Sequence, residues 1–248
     1  MLDYGNKTIE EERKFRKNQL AAAFRIFSKF GFDNGVTGHI TVRDPEFTDS
    51  YWVNPYMMHF SHIKSSDLVR VNEAGEVVEG NREVNKAALV IHSAVHKARP
   101  DAIAAAHAHT TFGQVWATTG KKIKPLTQDS CAFYNDLTLF DDYTGVVYEG
   151  EEGERIARAL EDKKASILKN HGLLTVGGSV AEAAWWFILL ERSCREHVYA
   201  HSMGANPIEI SPEVAKSTYE DEGSAQSGRE QFQPLWEMIT KEQPDLFE

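Results

Sequence analysis

The sequence predicts an α/β protein with a single domain, and three observations carry that expectation. A capped helical period opens the chain, a β-rich and antiparallel-capable stretch follows, and short apolar runs then alternate with amphipathic helices. At 248 residues the chain is long enough to bury a substantial core.

Thr8 and Glu11 have capping-box spacing ahead of Phe15, Leu20, Phe24, Phe27 and Phe30, which recur near the helical period until Gly31 stops the helix. The stretches "VTGHITVRDP", "YWVNP" and "DLVRVNEAGEVVEG" are rich in β-branched residues and turn formers, and predict short strands. From Asn85 to Arg99 the set Ala88, Leu89, Ile91, Val95 and Ala98 predicts a helix ended by Arg99-Pro100. "AIAAA" predicts a buried strand that runs into two histidines, with a helix over "TTFGQVWATTG" after it. "QDSCAFYNDLTLFDDYTG" is dense in polar and aromatic groups and is expected to be a loop. "EGERIARALED" predicts a helix, and "ASILKN" and "LLTVG" predict strands. Ser179 and Glu182 form a second capping box, opening a long helix that contains Ala183, Ala184, Phe187, Leu190 and Val198. Residues 204–248 turn polar and are expected to form a tail on the domain of residues 1–203, docking through Phe232, Leu235, Trp236 and Ile239.

Lys and Arg number 27 against 37 Asp and Glu, a net charge of −10, which argues against nucleic acid or an anionic membrane as partner. Cys131 and Cys194 fit neither a disulfide framework nor a paired metal motif, so a reducing compartment is expected and Cys131 is assigned to packing. The first residues lack the apolar core of a signal peptide, and no run is long and apolar enough to span a bilayer. A soluble, cytoplasmic protein is the expectation.

Among the ten histidines, His107 and His109 stand at i and i+2, so on a strand both imidazoles face one side and can share an ion. A catalytic zinc site takes three protein ligands, and His171, at a strand end before a glycine, is the candidate for the third. Ordinary polar or core histidines are the alternative. His92 with His96, and His197 with His201, have the i, i+4 spacing that lets helix residues share an ion. Ser93 occupies the place of the zincin glutamate, however, and packing or capping is the plainer role for both pairs.

Taken together, "ARPDAIAAAHAH", "KNHGLLTVG" and the helix start "SVAEAAWWFILLE" resemble the class II aldolase/adducin family over residues 8–203. The resemblance implies a three-layer α/β/α fold with a mainly antiparallel central sheet. It also implies a divalent metal held by His107, His109 and His171, usually Zn2+, with Fe2+ or Mn2+ as alternatives. In the family the metal polarises carbonyl and hydroxyl oxygens and stabilises an enediolate while a carbon–carbon bond breaks or forms. Some members are decarboxylases and a few are non-haem iron oxygenases.

Two departures stand out. The acidic residue on the helix before the histidine pair falls at Ala88, and the phosphate-pocket positions hold Gly38-His39, Asn54-Pro55 and Asn85-Lys86. The expected substrate is therefore a small hydroxy- or oxo-acid or a sugar derivative, bound by His39, Asn54 and Lys86, with His39 and Lys86 suited to an anion such as a carboxylate. Tyr134, with Tyr143 as second choice, is expected to replace the missing carboxylate as proton donor. The resemblance further implies a homotetramer. The alternative function is a non-catalytic adducin-like interaction domain that retains the metal site.

Overall fold

The computed structural model describes residues 2–145, 150–204 and 206–248. Helix α1, Ile9–Lys29, begins at the expected box: the Glu11 N–H donates to Thr8 Oγ1, and the Thr8 N–H donates to the Glu11 carboxylate. It ends before Gly31, which takes φ +72°. Four strands follow, β1 His39–Arg43, β2 Ser50–Val53, β3 Val69–Asn72 and β4 Val77–Glu79, and then α2, Lys86–Ala98. Strand β5, Ala104–Ala108, leads into α3, Thr111–Ala117.

The segment expected to be a loop carries structure of its own, namely a short helix α4, Gln128–Cys131, and a strand β6, Leu137–Phe140. The four residues "LTLF" are too few to show a period against their polar flanks, and the parallel partner strand decides their conformation. After α5, Gly150–Leu160, come β7, Ala165–Leu168, and β8, Gly172–Gly177. Helix α6, Val180–Ser202, opens at Ser179, whose hydroxyl accepts from the Glu182 N–H, and α7, Pro212–Glu222, and α8, Ala225–Glu242, complete the chain.

The strands form one sheet in the order β4-β3-β2-β1-β5-β8-β7-β6. Among the described residues β6 and β7 are the only parallel pair; α5 lies between them in the chain, as a parallel crossover requires. The two-residue period of the central strands divides the core. Ile40, Val42, Ala104, Ala106 and Ala108 pack with Phe24 and Phe27 of α1, Phe187 of α6 and Phe232 of α8. Ala105, Leu174 and Val176 face the other way, onto Ile91 and Val95 of α2 and Ile156 and Leu160 of α5. The result is the three-layer α/β/α arrangement with a mainly antiparallel sheet. Residues after 203 contribute to the first layer: Phe232, Ile239 and Leu246 are fully buried, each worth roughly 1.5–3 kcal/mol relative to exposure. No helix among the described residues is long and apolar enough to cross a membrane.

Candidate metal centre

Strand β5 sits in the middle of the sheet, paired with β1 and β8; it carries His107 near its end, and His109 follows immediately after it. His171 lies in the turn between β7 and β8, where Asn170 adopts φ +58° and the His171 N–H donates to the Leu168 carbonyl. One ligand nitrogen from each of His107, His109 and His171 can be chosen so that all lie within 4.8 Å of one another. Among the described residues this is the single group of three or more His, Cys, Asp or Glu side chains close enough to share an ion.

The donor set fits a divalent metal in protonation as well as position. Burial pushes His107 well below the usual histidine range, with the neighbouring histidines adding to the shift. Burial likewise lowers His109, and brings His171 to about 4 with a further contribution from His109. All three rings are therefore neutral at pH 7 and offer lone pairs rather than protons. His107 Nδ1 donates to the Leu173 carbonyl at 2.8 Å, which leaves the Nε2 lone pair as the one it could offer a metal.

Gly172 explains the glycine after His171. A Cβ there would lie 3.1 Å from the Ala108 carbonyl oxygen, 3.5 Å from His107 Cε1 and 3.8 Å from His109 Cδ2. Only a residue without a side chain lets β8 approach the ligands this closely. Gly172→Ala is expected to weaken metal binding about tenfold while leaving the far-ultraviolet circular dichroism unchanged, as competition with a chromophoric chelator will measure.

The residues just after His109 are held from the other side of the sheet. Glu191, on α6 and 7% exposed, accepts from Thr110 Oγ1 at 2.5 Å, from the Phe112 N–H at 3.0 Å and from the Gly113 N–H at 2.6 Å. Thr110 is the N-cap of α3 but makes no capping bond through its own side chain, so a carboxylate from a distant helix satisfies these first N–H groups. Helix α3 in turn reaches His171, since Gln114 Nε2 donates to the His171 carbonyl. Glu191→Ala is expected to lower unfolding free energy by about 3 kcal/mol, because two N–H groups and a hydroxyl lose their acceptor away from water. Urea titration measures this, and an unchanged midpoint would show that water replaces the carboxylate.

Of the residues expected to bind substrate, the structure brings His39 to the triad. Its register partner is His107, and the two rings stack with centroids 5.2 Å apart. Asn54 follows β2, two strands from β5, and its buried Oδ1 has no hydrogen-bond partner among the described residues. Lys86 is exposed at the start of α2 and lines a groove with Glu76, Lys97 and Arg158, away from the histidines. Tyr143 follows the end of β6 nearest the site, and its ring centroid is 6.2 Å from that of His171. Tyr134 precedes the start of β6, at the other end of that strand. Ala88 falls in α2, and its side chain lies outside the described residues.

The two other histidine pairs are engaged in hydrogen bonds. His197 Nε2 accepts from the Lys124 N–H, its Nδ1 donates to the Ser193 carbonyl, and His201 Nδ1 donates to the His197 carbonyl. His92 and His96 lie buried against β1 within hydrogen-bond distance of Thr41, and Arg43 donates to the His96 and Arg99 carbonyls at the end of α2. The two cysteines are buried and free, and burial pushes both thiols up.

Residues 18–198 match the family model for the class II aldolase and adducin N-terminal domain. Decarboxylase NovR of Streptomyces niveus is 46% identical over 96% of this chain and 89% of its own length. A second relative, named 4-hydroxy-3-prenylphenylpyruvate oxygenase/4-hydroxy-3-prenylbenzoate synthase, from Streptomyces roseochromogenus subsp. oscitans, is 46% identical over 96% of this chain and 87% of its own. The solved structure of L-fuculose 1-phosphate aldolase from Glaciozyma antarctica PI12 superposes with a TM-score of 0.92 at 41% identity, covering 99% of this chain and 96% of that one. With its histidine triad, its three layers and its sheet order, the chain belongs to the class II aldolase and adducin family.

Proposed function

We propose that the protein is a divalent-metal-dependent lyase that cleaves a carbon–carbon bond in a small 2-oxo or hydroxy acid, in the manner of a decarboxylase. The observation that carries this reading is the cluster of three neutral imidazoles at the end of β5. A divalent ion held there supplies Lewis-acid stabilisation to an oxyanion that develops as the bond breaks. The names of the two Streptomyces relatives favour an oxo acid over a sugar phosphate, since one is called a decarboxylase and the other is named for an arylpyruvate. The altered pocket residues Gly38-His39 and Asn54-Pro55 point the same way.

The chain's own residues divide the work. His107, His109 and His171 are the ligands, with Zn2+ as the first candidate and Fe2+ or Mn2+ accommodated by the same three nitrogens. His39 stands against the site as a substrate contact, and Asn54, whose buried oxygen has no hydrogen-bond partner among the described residues, is a second. Tyr143 is the phenol beside His171 that can carry a proton to the product carbanion, and Tyr134 serves only if it reaches the site of a neighbouring copy in a tetramer. A cytoplasmic location is part of the same proposal.

The test is an assay of the metal-loaded protein against 2-oxo acids, hydroxy acids and sugar phosphates, with and without dioxygen, following release of CO2 or aldehyde. Release from an oxo acid that disappears in the His107→Ala, His109→Ala variant supports the lyase. A fully metal-loaded protein that releases neither product from any of these classes overturns it in favour of the interaction-domain alternative.

A further inference from the structure

Between β1 and α2 four polar side chains form one buried line. His39 Nδ1 lies 3.1 Å from His92 Nε2, His92 Nδ1 lies 2.6 Å from Thr41 Oγ1, and Thr41 Oγ1 lies 2.8 Å from His96 Nε2. The line ends where His96 Nδ1 lies 3.1 Å from the Ala102 carbonyl oxygen. All four side chains are buried, from 0% exposure at Thr41 and His92 to 6% at His39. Tyr51 stacks on the His96 ring and fixes its plane.

The Ala102 carbonyl has no proton to give, so His96 Nδ1 must be the donor. Burial pushes His92 and His96 down to about 3, so each of these two rings is neutral and carries one proton. His96 Nε2 is then an acceptor and takes the single hydroxyl proton of Thr41. With that proton committed, Thr41 Oγ1 must accept from His92 Nδ1–H. The lone pair of His92 is left on Nε2, where it accepts from His39 Nδ1–H. The reverse direction would set the His96 Nδ1 lone pair against the carbonyl oxygen in a buried site.

We propose that the Ala102 carbonyl, acting through His96, Thr41 and His92, fixes His39 in the Nδ1–H tautomer and makes its Nε2 a hydrogen-bond acceptor beside the metal triad. At that corner the site selects a hydroxyl donor on the substrate and disfavours an anionic oxygen, which would face a lone pair. Thr41, His92 and His96 are positioning residues; His39 makes the contact. The hydroxyl selection rests on the lyase reading above, whereas the tautomer rests on the hydrogen-bond line alone.

The experiment uses the full-length, zinc-loaded protein with 15N-labelled histidine, since imidazole nitrogen shifts in magic-angle-spinning NMR separate protonated from unprotonated ring nitrogens. Signals are assigned through the single variants His39→Gln, His92→Gln and His96→Gln. The expected spectrum shows His39, His92 and His96 neutral and protonated at Nδ1. Thr41→Val removes the hydroxyl at nearly constant shape and is expected to return Nε2–H signal to His92 and His39, while Thr41→Ser restores the parent pattern. An Nε2–H His39 in the parent protein, or parent tautomers retained in Thr41→Val, would overturn the proposal. Dihydroxyacetone is expected to shift the His39 Nε2 signal as a hydrogen-bond acceptor, and inorganic phosphate is expected to leave it unmoved. A His39 ring doubly protonated in the presence of phosphate, with the tautomers otherwise as stated, would overturn the hydroxyl selection and locate the failure in the functional reading.

Discussion

The His107→Ala, His109→Ala variant is expected to purify without stoichiometric metal, against about one divalent ion per chain in the parent protein. Four-ligand zinc sites bind with about 10–16 kcal/mol, so roughly 3 kcal/mol falls to each ligand, and losing two weakens binding on the order of ten-thousandfold. Of the three, His171 alone then remains. Elemental analysis after size exclusion reads the stoichiometry, and chelator competition reads the affinity. A chelator is also expected to lower the melting temperature of the parent and leave that of the variant where it was, because only a ligand that binds the folded state shifts unfolding. Full occupancy in the variant would remove the triad from the site and the proposed chemistry with it.

Much of the fold was legible because its signals are local. Thr8 and Ser179 mark helix starts through bonds that span three residues, and both helices begin there. The alanine-rich "AIAAA" shows where local preference misleads: alanine favours helix, yet the segment is a central strand because β1 and β8 pair with both of its edges. Strand β6 was hidden for the related reason that its parallel partner lies across α5, and nothing within four residues records that pairing.

The site divides along the same line. His107 and His109 share a face by strand period alone, and His171 is marked by the glycine that lets β8 close on them. Glu191 was not legible, since the groups it binds are 78 to 81 residues away and a glutamate inside a long helix looks like any solvated one. His92 and His96 were visible as a spaced pair for which packing or capping was the plainer role, but their partner Thr41 sits on a strand 51 and 55 residues earlier, so spacing alone did not show the hydroxyl they share. That Tyr143 lies near His171 was not legible either, because Tyr134 and Tyr143 flank opposite ends of a strand that the sequence did not reveal.

Buried neutral histidines also set how the fold meets acid. Metal-free protein is expected to lose about 4 kcal/mol of unfolding free energy between pH 7 and pH 5, from His92 and His96 alone. Burial, with the adjacent His96 charge acting on His92 and the Arg43 charge on His96, holds both at about 3 in the folded chain. The unfolded chain titrates near 6.5. Below that value the unfolded state takes up protons that the folded state refuses, so stability rises with pH across the interval from about 3 to 6.5 and is complete above it. Each histidine contributes about 1.4 kcal/mol per pH unit inside the window, or roughly 2 kcal/mol by pH 5. The other lowered histidines, His39, His107, His109, His171 and His197, act with the same sign, and a total of this size is a large part of the ~5–15 kcal/mol that holds a domain together. Urea titrations at fixed protein concentration and several pH values give the slope directly. Replacing His96 by Gln is expected to flatten it by about one proton's worth, roughly 1.4 kcal/mol per pH unit. Equal unfolding free energies at pH 7 and pH 5 would mean that these rings accept protons in place, and that the buried line between β1 and α2 opens to water before the fold does.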